Sequence, residues 1–361
     1  MRYTRLRAKN KSDALELARM RDLHRLVDTV QKNCHITDAR HARDMTLCTY
    51  LLEMRQYYRW ENEVPYSHNL PKDELGAWLS ERESLWNELE ADTFAKLPFT
   101  PEPLDPFDSE SANRMLVPQG YVYSAGYGRF RKPHFFLGNL LRTETREGFK
   151  VLISGCEYAR DLVAPPAVSQ NGVIYLRRES VRRFLWEKFE EWQWRKSNDS
   201  LSRAFACYDF EGDTDNALEQ MTDVESEAMI LHEVGEGLAG RIFGEGWNRM
   251  LGALKQRKLE ILARSVRDHL ADCLSTLPTL LERNADCSLY FYFANLDGMR
   301  KELFSRLGTA YQQWLESGDS GALQQAIADG RAHWQAAGLK LMQESGAQAA
   351  SFDERLAELK L

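Results

Sequence analysis

His232 and Glu236 stand one helical turn apart in the string His232-Glu233-Val234-Gly235-Glu236. An imidazole and a carboxylate at i, i+4 share a helix face and can hold one metal ion between them. In the zinc-protease helix pattern the second ligand is a histidine and the glutamate after the first histidine is the general base. Here Glu236 takes the second ligand position and Glu233 the position of the base. At ~100° per residue, His232 and Glu236 fall within the arc of Met229, Leu231, Ala239 and Phe243. A polar group on such a face must be hydrogen-bonded, paired or metal-bound. The competing reading is a hydrogen-bonded pair in the core. Gly235, Gly237 and Gly240 crowd the same segment, each costing roughly 1 kcal/mol against alanine, which points to close backbone approach.

Further candidates lie on other helices. His41 and Asp44, spaced i, i+3, fall on the apolar side of a helix expected over about 38–60, where the aspartate orients the imidazole. An Asp44–Arg55 ion pair is the structural alternative. His269 borders the apolar face of a long helix expected over about 247–281, beside Cys273. Asp268 and Asp272 lie nearly opposite that face and are expected to be more exposed than His232 and Glu236, in a solvated salt-bridge pattern. The metal set read from these positions is His41, Asp44, His232, Glu236 and His269, with Glu233 as catalytic base and a divalent ion, Fe or Zn, as cofactor.

A loop with glycine, basic and aromatic residues (Gly126, Gly128, Arg129, Arg131, Lys132, with Phe130 and Phe135) could hold a phosphate or stack a base. Its spacing matches neither a P-loop nor a dinucleotide fingerprint.

The elements that must position these residues are mostly helices. Helical periodicity fills the first third, with Pro71 starting a third helix. Prolines 98, 101, 103, 106 and 118 mark a linker or surface loop over 98–118. The strand signals are Phe135–Leu141 and Phe149–Ser154, a hairpin around the turn-rich 143–148, and Val173–Leu176. Helices resume at Glu179, with a short one over 213–220 and a separate long one over 223–243. The fold expected is mainly α (α+β), helical bundles with a small antiparallel β insert around residues 135–176. The division expected is a helical domain over 1–97, the linker, and an α-rich domain with the hairpin over 119–361.

Composition narrows the function classes. The chain has 361 residues, 43% hydrophobic and 28% charged, with a net charge of -7. The acidic balance argues against a broad nucleic-acid surface. No apolar run reaches the ~18 residues of a membrane span, and no apolar segment follows the basic N-terminus as in a secretory signal. The six cysteines lack paired-motif spacing, which fits reduced thiols and a cytoplasmic location. Nothing names a partner, and a homo-oligomer is compatible with the sequence.

Three segments, 33–44 continuing to Tyr57-Tyr58-Arg59-Trp60-Glu61, Leu231–Glu236, and Arg267–Pro278, resemble a family of bacterial hypothetical proteins of about this length. The resemblance implies a bacterial cytosolic setting and carries no activity. The residues themselves support a metal-binding enzyme, a hydrolase or an oxygen-using one, with a His/carboxylate site in a helical core. The alternative is a non-enzymatic interaction or scaffold protein with long amphipathic helices.

Overall fold

The computed structural model describes residues 11–128, 131–195, 199–254, 256–344 and 352–361. The chain is mainly α with a five-stranded mixed sheet. It forms two compact units, residues 1–142 with 154–164, and residues 143–153 with 165–361. Among the described residues, no helix is long and apolar enough to cross a membrane. Arg129 and Phe130 of the glycine-rich loop, and the basic residues before Lys11, lie outside the described residues.

The first unit begins with α1 (Lys11–His41), a 3-10 turn over 42–44, α2 (Leu47–Glu61) and α3 (Lys72–Leu89). The helix expected over 38–60 is thus two, because Thr46 starts a new one: its side chain accepts from the backbone N–H of Thr49 at 3.3 Å and caps α2. α2 buries Met54, Tyr57 and Tyr58 but leaves Leu47, Leu51 and Leu52 exposed. Residues 98–118 carry α4 (Ser109–Leu116), capped by Asp108, and belong to this unit. Its core joins Val30 and Cys34 of α1 to Tyr123, Phe135 and Leu137.

The strands are β1 (Tyr121–Tyr127), β2 (Pro133–Arg146), β3 (Phe149–Arg160), β4 (Ala167–Gln170) and β5 (Val173–Arg177). Their order is β1-β2-β3-β5-β4. β1 pairs with β2 antiparallel, with Tyr123 opposite Leu137, and β4 pairs with β5 antiparallel, with Val168 opposite Tyr175. The sheet is therefore larger than a hairpin with one added strand, and mixed rather than wholly antiparallel. The loop expected over 143–148 shrinks to Glu147-Gly148, with φ of 48° and 76°. Positive φ at both central residues matches the twist of the flanking strands. Asn171-Gly172, at 51° and 76°, makes the same turn between β4 and β5.

The second unit contains α5 (Arg178–Arg195), α6 (Ser200–Phe205), α7 (Thr214–Phe243), α8 (Glu245–Ala253) and α9 (Arg257–Ala271). A π-helical turn over Asp272–Thr276 leads into α10 (Leu277–Glu282). Then follow α11 (Asp286–Ala294), α12 (Gly298–Leu303), α13 (Ser305–Ser317), α14 (Gly321–Glu344) and α15 (Phe352–Leu359). Two expectations change here. The helices read separately at 213–220 and 223–243 are one, capped by Asp213, whose side chain accepts from Asn216 N at 3.1 Å. The single helix read at 247–281 is broken before α9 and again by the π turn.

α9 packs against both α7 and α14, and the core gathers Trp247, Val266, Leu270, Phe304 and Trp334. Gly235 is required where α7 meets the end of α9, because a Cβ there would overlap the carbonyl oxygen of Ala271. Cys207 and Cys287 form a disulfide between the end of α6 and the start of α11. That corrects the expectation of wholly reduced thiols. The pair is 80 residues apart, a separation at which no spacing motif operates. Cys34, Cys48, Cys156 and Cys273 are not in disulfides.

Candidate metal centre

α7 and α9 set the site in the second unit. His232 and Glu236 project from consecutive turns of α7, with His232 Nε2 3.6 Å from Glu236 Oε1. Asp268 of α9 joins them, and one ligand atom from each of the three lies within 4.8 Å of the others. His232 Nδ1 is 2.8 Å from Asp272 Oδ1. That contact turns Nε2 toward Glu236 and Asp268, the arrangement in which a second carboxylate fixes the orientation of a metal-ligating histidine.

Asp272 is itself held. Tyr292 Oη donates to its Oδ2 at 2.8 Å, and Arg300 donates to the same oxygen. Arg267 Nη2 donates to Glu236 Oε1 at 2.6 Å and stands 3.8 Å from Asp268 Oδ1. Glu233, buried beside His232, makes no hydrogen bond through its carboxyl among the described residues.

Burial and charge act in opposition across this cluster. Burial alone would lower His232, but Asp272 and Glu236 outweigh it and hold the imidazole well above its ordinary range. Burial would raise Glu236, yet Arg267, His232 and a hydrogen bond from Asp268 hold it well below the usual carboxylate range. Burial and the charge of Glu236 push Asp268 up to about 6 and Glu233 up to about 8. Asp272 is drawn down to about 2, its burial overcome by Arg300 and His232. The cluster thus holds ionised and protonated carboxyls side by side, a division suited to moving protons.

The burial order expected from the helix phases is reversed. Asp272 and Asp268 expose 1% and 9% of their side chains, against 29% for His232 and 17% for Glu236. Two causes account for it. The face of α9 opposite its apolar stripe meets α7 rather than solvent, and the π turn begins at Asp272, so ordinary helical phase fails from there on. Asp268 is the site residue that sequence reasoning set aside, although its i, i+4 spacing to Asp272 was visible.

His269 goes elsewhere. It is fully buried, its Nε2 lies 2.9 Å from the Arg300 carbonyl oxygen, and its ring stacks on Trp334 at 4.8 Å. Burial and Arg300 push it down to about 3, so it is a neutral core histidine.

His41 and Asp44 belong to the first unit. His41 Nδ1 is 3.4 Å from Asp44 Oδ2, and their side chains are 31% and 43% exposed, not buried on an apolar face as the helix phase implied. The reason is the helix break at 42–46, a 3-10 turn and extended residues, which ends α1 at His41 before α2 begins. Asp44 also pairs with Lys132 Nζ at 3.1 Å, which neutralises one of the cations of the glycine-rich loop.

No curated protein and no solved structure matches the chain. The family of unknown function DUF6866 matches in two stretches, its N-terminal domain over residues 25–177 and its C-terminal domain over residues 182–360. The C-terminal match contains the whole of the His232 cluster. The chain belongs to that family, with both domains present in order.

Proposed function

We propose that the protein binds a divalent cation, Zn or Fe, through His232, Glu236 and Asp268, and that the site serves an enzyme. The observation that carries this reading is the chain Asp272–His232 with Nε2 directed at two carboxylates from two helices. One imidazole and two carboxylates suit borderline divalent ions. Such an ion polarises a bound oxygen and lowers the pKa of bound water. Glu233, nearby and without a hydrogen bond, would take the proton so released once ionised, above about pH 8. Arg267 donates to one oxygen of Glu236, so a cation entering there would compete with that guanidinium. Asp272, pinned by Tyr292 and Arg300, stays in place and keeps His232 oriented.

Protein prepared without an affinity tag, under aerobic and anaerobic conditions, tests this by elemental analysis and by titration with Zn2+ and Fe2+. Binding of about one ion per chain is expected, lost in His232→Ala and Glu236→Ala while circular dichroism is kept. Absence of metal and of saturable binding in the wild type under both preparations would overturn it.

A second reading, a non-enzymatic interaction protein, is favoured by one observation. Leu47, Leu51 and Leu52 of α2 are 71%, 42% and 52% exposed, an apolar stripe of the kind that partner proteins cover.

A further inference from the structure

α7 carries a second set of side chains on the side away from His232. Ile230, Val234 and Leu238 recur every four residues, about 120–200° round the helix from the histidine. They form one wall of a cavity of about 380 Å3 in the second unit, a volume within the range of small-molecule sites. The wall is aliphatic, with no ring on which an aromatic ligand would stack.

The facing wall comes from the π turn and α10. Ser275, Thr279 and Arg283, at i, i+4 and i+8, line it together with Leu274. They run from interior to rim: Ser275 is 7% exposed, Thr279 half-buried, and the Arg283 side chain 47% exposed. Neither the Ser275 nor the Thr279 hydroxyl has a hydrogen-bond partner among the described residues. Two hydroxyl donors one turn apart thus line the cavity without an acceptor from the described residues, opposite the aliphatic wall of α7.

The rim decides the charge of the ligand. Arg146 is met by Glu144 at 2.7 Å and Glu227 at 3.0 Å, and Arg283 by the same Glu227 at 2.9 Å. Glu147 adds a further carboxylate to the lining. The guanidiniums are therefore already matched by acids, and an anionic ligand would meet excess negative charge. We propose that this cavity binds a small neutral aliphatic carbonyl compound, an amide or ester. Its chain lies along Ile230, Val234 and Leu238, and its carbonyl oxygen accepts from Ser275 and Thr279. The proposal is independent of the metal reading, since it uses the other side of α7.

Ligand-observed NMR titration with hexanamide and with hexanoate tests it, on the wild type and on the double variant Ser275→Ala, Thr279→Val. Neither hydroxyl supports the fold through a hydrogen bond, so the melting temperature should be unchanged. Hexanamide should saturate, hexanoate should bind at least tenfold more weakly, and the double variant should lose at least fivefold in affinity for hexanamide. Binding of hexanoate as tight as that of hexanamide, wild-type affinity in the double variant, or no saturable hexanamide binding would each overturn the proposal.

Discussion

Asp272 Oδ1 lies 2.8 Å from His232 Nδ1, while its other oxygen takes hydrogen bonds from Tyr292 and Arg300. One buried carboxylate on the π turn therefore sets the orientation of the imidazole on α7. Asp272→Asn keeps the shape but leaves Arg300 without its counter-charge. The variant should lose about 3 kcal/mol in denaturant unfolding. Zn2+ affinity should fall by roughly ten- to a hundredfold, read by titration of the folded variant.

Glu225 supplies a pH signature separate from the metal residues. Burial pushes its carboxyl up to about 7 from an ordinary 4.5, with Ser288 Oγ donating to it at 2.8 Å. Between those values the folded chain holds a proton that the unfolded chain has released. The stability it contributes is thus full at acid pH and lost as pH rises through about 7. Glu225→Gln removes this dependence. Relative to the wild type, the variant should gain up to about 2 kcal/mol between pH 5 and pH 8, measured by urea unfolding at both values.

The glycines of α7 should respond in opposite directions. At Gly235 a methyl group would overlap the Ala271 carbonyl, whereas at Gly240 nothing lies within 4 Å. Gly235→Ala should destabilise by roughly 1–3 kcal/mol through overpacking. Gly240→Ala should stabilise by about 1 kcal/mol through helix propensity. Thermal melts of the two variants beside the wild type distinguish these signs.

The disulfide offers a further measurement. Joining Cys207 to Cys287 closes a loop of 80 residues in sequence separation. The chain-entropy argument assigns such a closure about 4 kcal/mol. Unfolding in dithiothreitol, or in the Cys207→Ser, Cys287→Ser variant, should show that loss, and equal midpoints with and without reductant would contradict it.

Much of the site was legible because helix phase is local. His232 and Glu236 are one turn apart in any helix, so their juxtaposition follows from the sequence. Asp268 joins them from another helix, and its inward direction depends on α7 covering that face of α9, which phase alone does not supply. Asp272 depends further on a π turn that has no simple sequence mark. His269 was placed near a core, but its stacking on Trp334, 65 residues later in the chain, was not readable. Among the strands, β4 had a signal that went unused: Asn171-Gly172 is a strong two-residue hairpin turn.

The contact of Gly235 with Ala271 also fixes the register between α7 and the end of α9. Sliding α7 by one residue along α9 would bring Val234 or Glu236 against that carbonyl, and neither has room there. The helices that carry His232, Glu236 and Asp268 are thus indexed to each other by the absence of one methyl group. Assembly of the three side chains is completed when the second unit folds, and an incoming cation has to displace the proton on His232 as well as compete with the Arg267 contact to Glu236.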